Sequence, residues 1–380
     1  MARAYLDNSA TTRPCAAAVA AMTKCLEEGW YNPSSVYKPS VEVFRQVRGV
    51  REQILDSVHG AQCDLYFTSG GTEANNLAIL GAVERMRGRQ VVALSAVEHP
   101  SVLAAFERLS QLGHNVRYIG VSRGGELDWD ALERALDDGA SLVSVMQVNN
   151  ETGWLLGGEG LHRFVNGRAL IHVDGVQGYL RVPFDMKWAD MYTLSGHKLH
   201  GPKGVGALVV KKGVKLQPQH VGGGQEGAIR SGTENTPGIM GLGAAVRELI
   251  DMGQDMPRRL MEKKLRLIAG IQKAVPEMIV NGADPSRSAP HIVNIGFPNV
   301  RGEVMLHALE GDGVFVSTGS ACSSKKLKVS AVLTAAGVPA REAEWAVRFS
   351  LSPHTTEEEI DYAAERVGVQ YDLLKRFQRR

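Results

Sequence analysis

The arrangement of apolar residues along the chain constrains its fold more than any other feature of the sequence. From about residue 64, short β-branched or apolar runs alternate with longer stretches whose apolar residues recur at helical spacing. This alternation is typical of a parallel sheet covered by helices, so the sequence predicts an α/β fold. The candidate strands are residues 65–68, 91–94, 116–119, 142–146, 170–173, 191–194 and 207–210, and the clearest helices between them span residues 72–87 and 102–112.

The pattern changes after residue 236. A long helical stretch runs from there toward Ala274 and is interrupted at Met256-Pro257, which indicates a boundary between two domains. Beyond it the sequence predicts a smaller C-terminal α+β domain. Its candidate strands are residues 291–295 and 346–350, and its candidate helices are residues 303–309 and 356–366.

Composition excludes several classes of protein. The 43 basic and 41 acidic side chains nearly balance, so charge alone does not indicate a nucleic-acid-binding surface, and no direct nucleic-acid partner is expected. No apolar run reaches the roughly 18 residues that cross a bilayer, and the N-terminus lacks an apolar signal core, so we expect a cytoplasmic protein without a membrane partner. The four cysteines form no CxxC pair and no cluster with zinc spacing, so neither a disulfide framework nor a metal site is expected.

A lysine and an acid follow two neighbouring strand-like runs. Ser195-Gly196-His197-Lys198 comes directly after residues 191–194, and Asp174 ends the run before it. A lysine at a strand end can form a Schiff base with the aldehyde of pyridoxal phosphate, while a neighbouring carboxylate pairs with the pyridinium nitrogen. Taken singly, Lys198 is read more simply as a surface lysine and Asp174 as a loop cap. The motifs around them favour the cofactor site.

A glycine turn after the first strand predicts an anion site. Residues 67–73 run from the strand through Gly70-Gly71 into a helix, so main-chain N–H groups and the helix dipole face whatever lies at the turn. No GxGxxG opens this unit and no Gly-Lys-Ser/Thr follows it, so a phosphate monoester fits better than a dinucleotide or a nucleoside triphosphate. The alternative is a tight connection with Thr72 as the helix cap.

Three further polar residues follow strands at the edge where open α/β sheets bind ligands. His99, after residues 91–94, can stack on a cofactor ring and move protons, or can simply begin a helix. Asn150 can donate to the phenolic oxygen of the cofactor, and Gln177 can reach the same ring from the other side. Turn chemistry alone would also explain the Asn-Asn and Asp-Gly pairs.

One cysteine differs from the others in its surroundings. Cys322 lies among small, polar residues and near Lys325, Lys326 and Lys328, so we expect a thiolate on a mobile loop. The other three, Cys15, Cys25 and Cys63, are interpreted as buried and inert.

With these segments in view, the chain resembles the cysteine desulfurases, pyridoxal-phosphate enzymes of aminotransferase fold type I, almost from end to end. The longer segment around Cys322 resembles that of the first desulfurase group. The matching stretches are residues 5–12, 32–35, 67–76, 98–99, 148–153, 172–174, 195–206, 222–224, 230–233, 319–322 and 348–350. The resemblance implies a mostly parallel seven-stranded sheet in a large cofactor-binding domain (residues 16–256). It also implies a small domain (residues 257–380) that carries the catalytic cysteine and is joined by an N-terminal segment (residues 1–15).

The resemblance also implies a role for each matching residue. Lys198 binds the cofactor aldehyde, Asp174 holds the pyridinium, His99 stacks on the ring, and Asn150 and Gln177 contact the phenolic oxygen. The phosphate is held by Gly71, Thr72, Ser195 and His197, together with Thr233 from the other subunit, which implies a homodimer. Arg348 and Asn32 bind the substrate, and Cys322 accepts its sulfur.

The implied reaction converts L-cysteine to L-alanine and a Cys322 persulfide, which a sulfur-acceptor protein then takes, either an iron–sulfur scaffold or a tRNA-thiolation sulfurtransferase. Near the site entrance, Tyr37 stands where many relatives carry histidine, and Gln225 stands where histidine or another amide is usual. A selenocysteine lyase or cysteine-conjugate β-lyase would share every cofactor residue, although the thiol of Cys322 argues against simple elimination. A silent sulfur carrier and a dinucleotide-binding dehydrogenase are the remaining alternatives.

Overall fold

The computed structural model describes residues 4–319 and 329–377, so Cys322 lies outside the described residues. Within the described part of the chain, no helix is long and apolar enough to cross a membrane. The helices are α1 (Ala16–Glu27), α2 (Lys38–Ser57), α3 (Gly71–Glu84), α4 (Pro100–Gln111), α5 (Trp129–Asp137), α6 (Glu159–Val165), α7 (Thr236–Asp251), α8 (Met256–Ala274), α9 (Gly302–Gly311), α10 (Ala331–Ala335), α11 (Ala340–Ala343) and α12 (Glu357–Phe377).

Strands form one large sheet and two small ones. The strands are β1 (Ala4–Tyr5), β2 (Cys63–Thr68), β3 (Val91–Ser95), β4 (Asn115–Ile119), β5 (Ala140–Ser144), β6 (Leu170–Asp174), β7 (Met191–Ser195), β8 (Gly206–Lys211), β9 (Ile279–Val280), β10 (Ile292–Gly296), β11 (Val314–Phe315) and β12 (Ala346–Ser350). The large sheet has the order β2-β8-β7-β6-β5-β3-β4. Only β8 runs antiparallel to its neighbours.

The large sheet confirms the predicted α/β fold, since all seven candidate runs are strands of it. The strand predicted over residues 142–146 begins and ends two residues too late, because β5 spans Ala140–Ser144. Beyond that point the main-chain N of Met146 donates to the Glu98 side chain at 2.7 Å, so this N–H is not available for a hydrogen bond to a neighbouring strand. The predicted helix over 72–87 ends earlier, at Glu84, where the chain turns with Arg85 N donating to Ala82 O.

A second hydrophobic core lies in the C-terminal part. It is built from α8, α9, α12, β10 and β12, and Ala4 and Leu6 from the N-terminal segment are fully buried in it. The small sheets have the orders β12-β10-β9 and β1-β11, so the first strand of the chain pairs with residues some 310 positions away. The division of the chain at residues 15 and 256 stays a prediction.

Candidate active site

Parallel strands bring the two chemically important residues of the sequence prediction to one edge of the sheet. β6 and β7 pair in parallel with Asp174 opposite Thr193. Asp174 is the last residue of β6, and Lys198 ends the short 3₁₀ turn that directly follows β7. Both are therefore at the carboxyl edge, where open α/β sheets bind their ligands.

The N-terminal segment covers the lysine. Lys198 is half-buried, and its Nζ donates to the carbonyl oxygens of Ser9 at 2.5 Å and Ala10 at 2.7 Å. The same segment is tied to the turn after β7, because Thr12 N donates to His197 O at 2.8 Å. The Oγ1 of Thr11 also lies 3.1 Å from His197 Nδ1. The sequence predictions gave Ser9 and Ala10 no part in the site.

Asp174 is buried and its two carboxylate oxygens have different partners. Oδ1 accepts from the main-chain N of Val176 at 3.0 Å, and Oδ2 accepts from Asn75 Nδ2 at 2.8 Å. Asn75, on α3, is itself buried and was not among the predicted site residues. Its only sequence signal is an amide within the apolar face of that helix.

His99 caps α4 on the same side of the sheet. Its Nδ1 accepts from the main-chain N of Ser101 at 3.1 Å and lies 2.8 Å from the Ser101 hydroxyl. Burial lowers the pKa of His99; Asp174 acts against this shift and Lys198 adds to it. The imidazole is therefore held in its neutral form near neutral pH.

The glycine turn after β2 leads from strand to helix as predicted, and its role as an anion site stays a prediction. Gly70 adopts φ 154°, and α3 begins at Gly71 with its first N–H groups at the turn. A Cβ placed on Gly70 would lie 3.9 Å from Ser195 Oγ, so the serine that ends β7 faces the turn. Thr72 is exposed there. Burial lowers the pKa of His197 to about 4, with Lys198 and Lys203 adding to the shift, so His197 is neutral.

Gln177 lies near the N-terminal segment, and Asn150 lies near Arg348. Gln177 is buried, and its Nε2 donates to Ser9 O at 2.9 Å, the same oxygen that accepts from Lys198. The main-chain O of Asn150 accepts from Arg348 Nη1 at 2.8 Å. Gln177 therefore shares an acceptor with Lys198, whereas the main chain of Asn150 lies against Arg348, and the contact of both residues with a cofactor ring stays a prediction.

Arg348 is buried on β12 and forms a salt bridge with Asp7. Its Nη2 donates to Asp7 Oδ1 at 2.6 Å, and within residues 4–319 and 329–377 its Nε has no hydrogen-bond partner. A buried donor without a partner is costly, so this guanidinium retains capacity for another acceptor. Asp7 was not predicted as a site residue.

Thr233 and Asn32 are exposed on loops. Thr233 lines an open cleft together with Ser69, the residue before the glycine turn. The Asn32 side chain accepts from the main-chain N of Ser34 at 2.9 Å, which forms a local turn.

The ends of the segment that contains Cys322 converge on one carboxylate. Ser330 Oγ donates to Glu151 Oε2 at 2.5 Å, and a Cβ added at Gly319 would collide with the same oxygen. Burial raises the pKa of Glu151, while Ser330 and Arg348 oppose this shift. Glu151 belongs to the Asn150 loop, and the sequence predictions did not assign it a role.

The remaining cysteines are buried, as predicted. Cys15, Cys25 and Cys63 are buried and unpaired. Burial raises the pKa of both Cys15 and Cys63, which disfavours their thiolates. Within the described residues no group of histidine, cysteine and acidic side chains has the arrangement of a metal site.

Comparison with known proteins decides the family. The model of the aminotransferase class-V family matches residues 4–363. The cysteine desulfurase of Trichormus azollae is 40% identical over 365 residues, which cover 95% of this chain and 91% of that protein. The chain belongs to the cysteine desulfurase family. The cysteine desulfurase NifS of Azotobacter vinelandii is 39% identical over 366 residues, covering 95% of this chain and 90% of that protein.

Solved structures agree with this family. A protein described as NifS-like superposes with a TM-score of 0.90 and 31% identity, covering 98% of this chain and all of that one. The enzyme class of the chain is therefore that of a cysteine desulfurase, and its seven-stranded sheet belongs to fold type I.

Proposed function

We propose that the chain uses pyridoxal phosphate to take sulfur from L-cysteine, releasing L-alanine and leaving the sulfur as a persulfide on Cys322. The observation that carries this proposal is the position of Lys198, Asp174 and His99 at one edge of the sheet. An amine, a carboxylate and a neutral imidazole there serve three different parts of one cofactor ring.

The residues at this edge fit the proposed cofactor. The start of α3, the Ser195 hydroxyl and the exposed Thr72 offer donors to a phosphate. A Cβ on Gly71 would come within 2.8 Å of Val176 Cγ2, so the turn lies close against the loop after β6. Asp174, on the same sheet edge, supplies the negative charge that a protonated pyridine nitrogen needs. When bound, the cofactor supplies an electron-withdrawing ring that weakens the bonds to the substrate Cα.

Lys198 holds the cofactor and afterwards moves the Cα proton of the substrate. Its Nζ lies between the carbonyl oxygens of Ser9 and Ala10, which orient the amine and stabilise its charged form once it has taken a proton. His99 exchanges protons with the substrate thiol. Because burial lowers the pKa of His99, the ring is uncharged near neutral pH.

The sulfur step balances without a further reactant. The Cys322 thiolate bonds to the substrate sulfur while the Cβ–Sγ bond of the substrate breaks, and Cβ takes up a proton to become the methyl group of alanine. Arg348 binds the substrate carboxylate through its guanidinium, whose Nε has no partner in the described residues. Asp7 shares that guanidinium, and Asn32 contacts the substrate at the entrance.

The proposed enzyme is a homodimer with a protein acceptor for its sulfur. Thr233 lies on an exposed loop beside the cleft next to the glycine turn, and we assign its hydroxyl to the phosphate bound by the other subunit. The acceptor is an iron–sulfur scaffold or a tRNA-thiolation sulfurtransferase. A cytoplasmic location completes the proposal.

Mass spectrometry of the protein incubated with cysteine, without reductant, tests the proposal. The peptide that contains Cys322 should gain one sulfur atom, and the peptides of the buried Cys15, Cys25 and Cys63 should gain none. Cys322→Ser should bind cofactor and cysteine but release little alanine, whereas the matched Cys63→Ser should behave as wild type. If Cys322→Ser forms alanine and sulfide at the wild-type rate, the enzyme is a lyase instead.

A further inference from the structure

Four polar side chains beneath the site form one chain of hydrogen bonds. Asn75 Nδ2 donates to Asp174 Oδ2 at 2.8 Å and to Ser101 Oγ at 2.9 Å. Ser101 Oγ in turn lies 2.8 Å from His99 Nδ1. Asn75 and Ser101 are 1% and 8% exposed, so water does not readily substitute for either of them. The chain joins the carboxylate of β6 to the imidazole that caps α4.

The direction of each bond follows from the groups involved. Reversing the Asn75 amide would set its oxygen against the Asp174 carboxylate, so its NH₂ group must face both acceptors. Ser101 Oγ therefore accepts from Asn75 and has its own hydrogen for His99 Nδ1. The main-chain N of Ser101 also donates to Nδ1, at 3.1 Å. Nδ1 thus carries a lone pair, and the hydrogen of the neutral ring is on Nε2.

We propose that Asn75 and Ser101 are positioning residues, which hold His99 in the tautomer with its hydrogen on Nε2 and fix its ring relative to Asp174. The inference rests on the proposed function, because it gives His99 and Asp174 their roles at the cofactor. In this tautomer Nε2 carries the hydrogen that the ring can offer to the substrate sulfur, while the lone pair of Nδ1 accepts from Ser101. Neither positioning residue needs to touch the substrate.

The charged groups around His99 make the effect measurable. Asp174 favours the charged imidazole, Lys198 disfavours it, and Glu98 precedes His99 in the chain. Bonds from Ser101 to Nδ1 stabilise the neutral ring, so removing the hydroxyl raises the proton affinity of His99. Loss of this one hydrogen bond should raise the pKa of His99 by roughly 0.5–1.

The test follows His99 itself in the cofactor-loaded enzyme, by NMR of ¹⁵N-labelled histidine, with its signal identified by its loss in His99→Gln. Wild type should show the hydrogen on Nε2. Ser101→Ala should raise the His99 pKa by the stated amount and move the acidic limb of the kcat/KM profile with it, while the cofactor stays bound. Ser110→Ala, an exposed serine on the same helix, should change neither.

A second variant tests whether Asn75 acts on His99 through the hydrogen bonds of Ser101. Asn75→Leu should shift the His99 pKa in the same direction, and the double variant should shift it by less than the sum, because both changes act through one path. An Nδ1 hydrogen in wild type, or an unchanged His99 pKa in Ser101→Ala, overturns the inference. If Asn75→Leu fails to fold, Ser101→Ala decides alone. The NMR signal does not depend on desulfuration, so a wild type that makes no alanine sinks the proposed function and not this inference.

Discussion

The floor and the rim of the site are built in different ways. The floor consists of strand ends, the turns after them and helix starts, whose positions are set by the register of one sheet, and it holds Lys198, Asp174, Asn75, Glu98 and His99. The rim brings together segments far apart in sequence, such as Asp7 and Arg348, which are 341 residues apart. Changes in the floor should therefore alter cofactor chemistry, whereas changes in the rim should alter substrate handling and sulfur transfer.

Lys198→Ala should have the largest effect. Removing the amine takes away both the covalent hold on the cofactor and the group that moves the Cα proton, so the visible absorption of the lysine-bound cofactor and all alanine formation should be lost. The melting temperature should stay close to that of wild type, since Lys198 is only half-buried. A yellow, active variant would remove Lys198 from its role.

Asp174→Asn should be the next most severe change in the floor. A neutral amide cannot balance a protonated ring nitrogen, so we expect kcat to fall by about 100-fold or more, with weaker cofactor retention. An asparagine nitrogen facing Asn75 Nδ2 would also lose the hydrogen bond that the carboxylate accepts. Turnover within a few-fold of wild type would show that the ring nitrogen is not paired with this residue.

Gly319→Ala probes the rim and should affect sulfur transfer more than cofactor binding. The added Cβ would collide with Glu151 Oε2, so Gly319, Glu151 or Ser330 must move. Displacement of about an ångström near reacting groups costs on the order of 10- to 100-fold in rate. Alanine formation should fall in this range while the cofactor absorption stays unchanged. Gly311→Ala is the matched control, because nothing lies within 4 Å of its added Cβ.

Asp174 and Lys198 in the floor were predictable from the sequence because their positions depend on local patterns. Apolar runs locate β6 and β7, and the residue that ends or follows each run then lies at one sheet edge, as Asp174 and Lys198 do. The Asp7–Arg348 salt bridge joins the two ends of the chain, and no periodicity encodes such a contact. Glu151 and Asn75 were missed for a related reason: their partners come from other segments.

Glu98, in the floor, should make the folding stability of the protein depend on pH. Burial raises its pKa from 4.5 to about 8, although Ser95 and the Met146 main-chain N donate to it. The folded state therefore binds a proton that the unfolded state releases near pH 4.5, so stability from this group is full below that pH and is lost as pH rises through 8. Glu98→Gln keeps an acceptor for both donors and removes the titration.

The melting temperature of wild type should accordingly fall, relative to that of Glu98→Gln, by a few degrees between pH 6 and pH 9. Glu342→Gln changes a partly exposed carboxylate and serves as the control. Its melting temperature should fall between pH 6 and pH 9 by as much as that of wild type. A constant gap between wild type and Glu98→Gln across this range would mean that Glu98 is ionised in the folded protein throughout.

Thr233→Ala should have the smallest effect, and it asks whether the rim extends into a second subunit. If the hydroxyl of Thr233 bonds to the phosphate in the other subunit's site, its loss should weaken cofactor binding by about fivefold, the equivalent of one hydrogen bond of about 1 kcal/mol. Cofactor binding and dimerisation would then be linked. The dissociation constant of the dimer, measured by sedimentation, should be lower with cofactor than without it. In Thr233→Ala these two dissociation constants should lie closer together. Thr334→Ala, whose hydroxyl donates only within its own helical turn to Ser330 O at 2.8 Å, should leave cofactor affinity unchanged. A monomer that binds cofactor as tightly as the dimer would confine the phosphate site to a single chain, and Thr233 would then have no part in it.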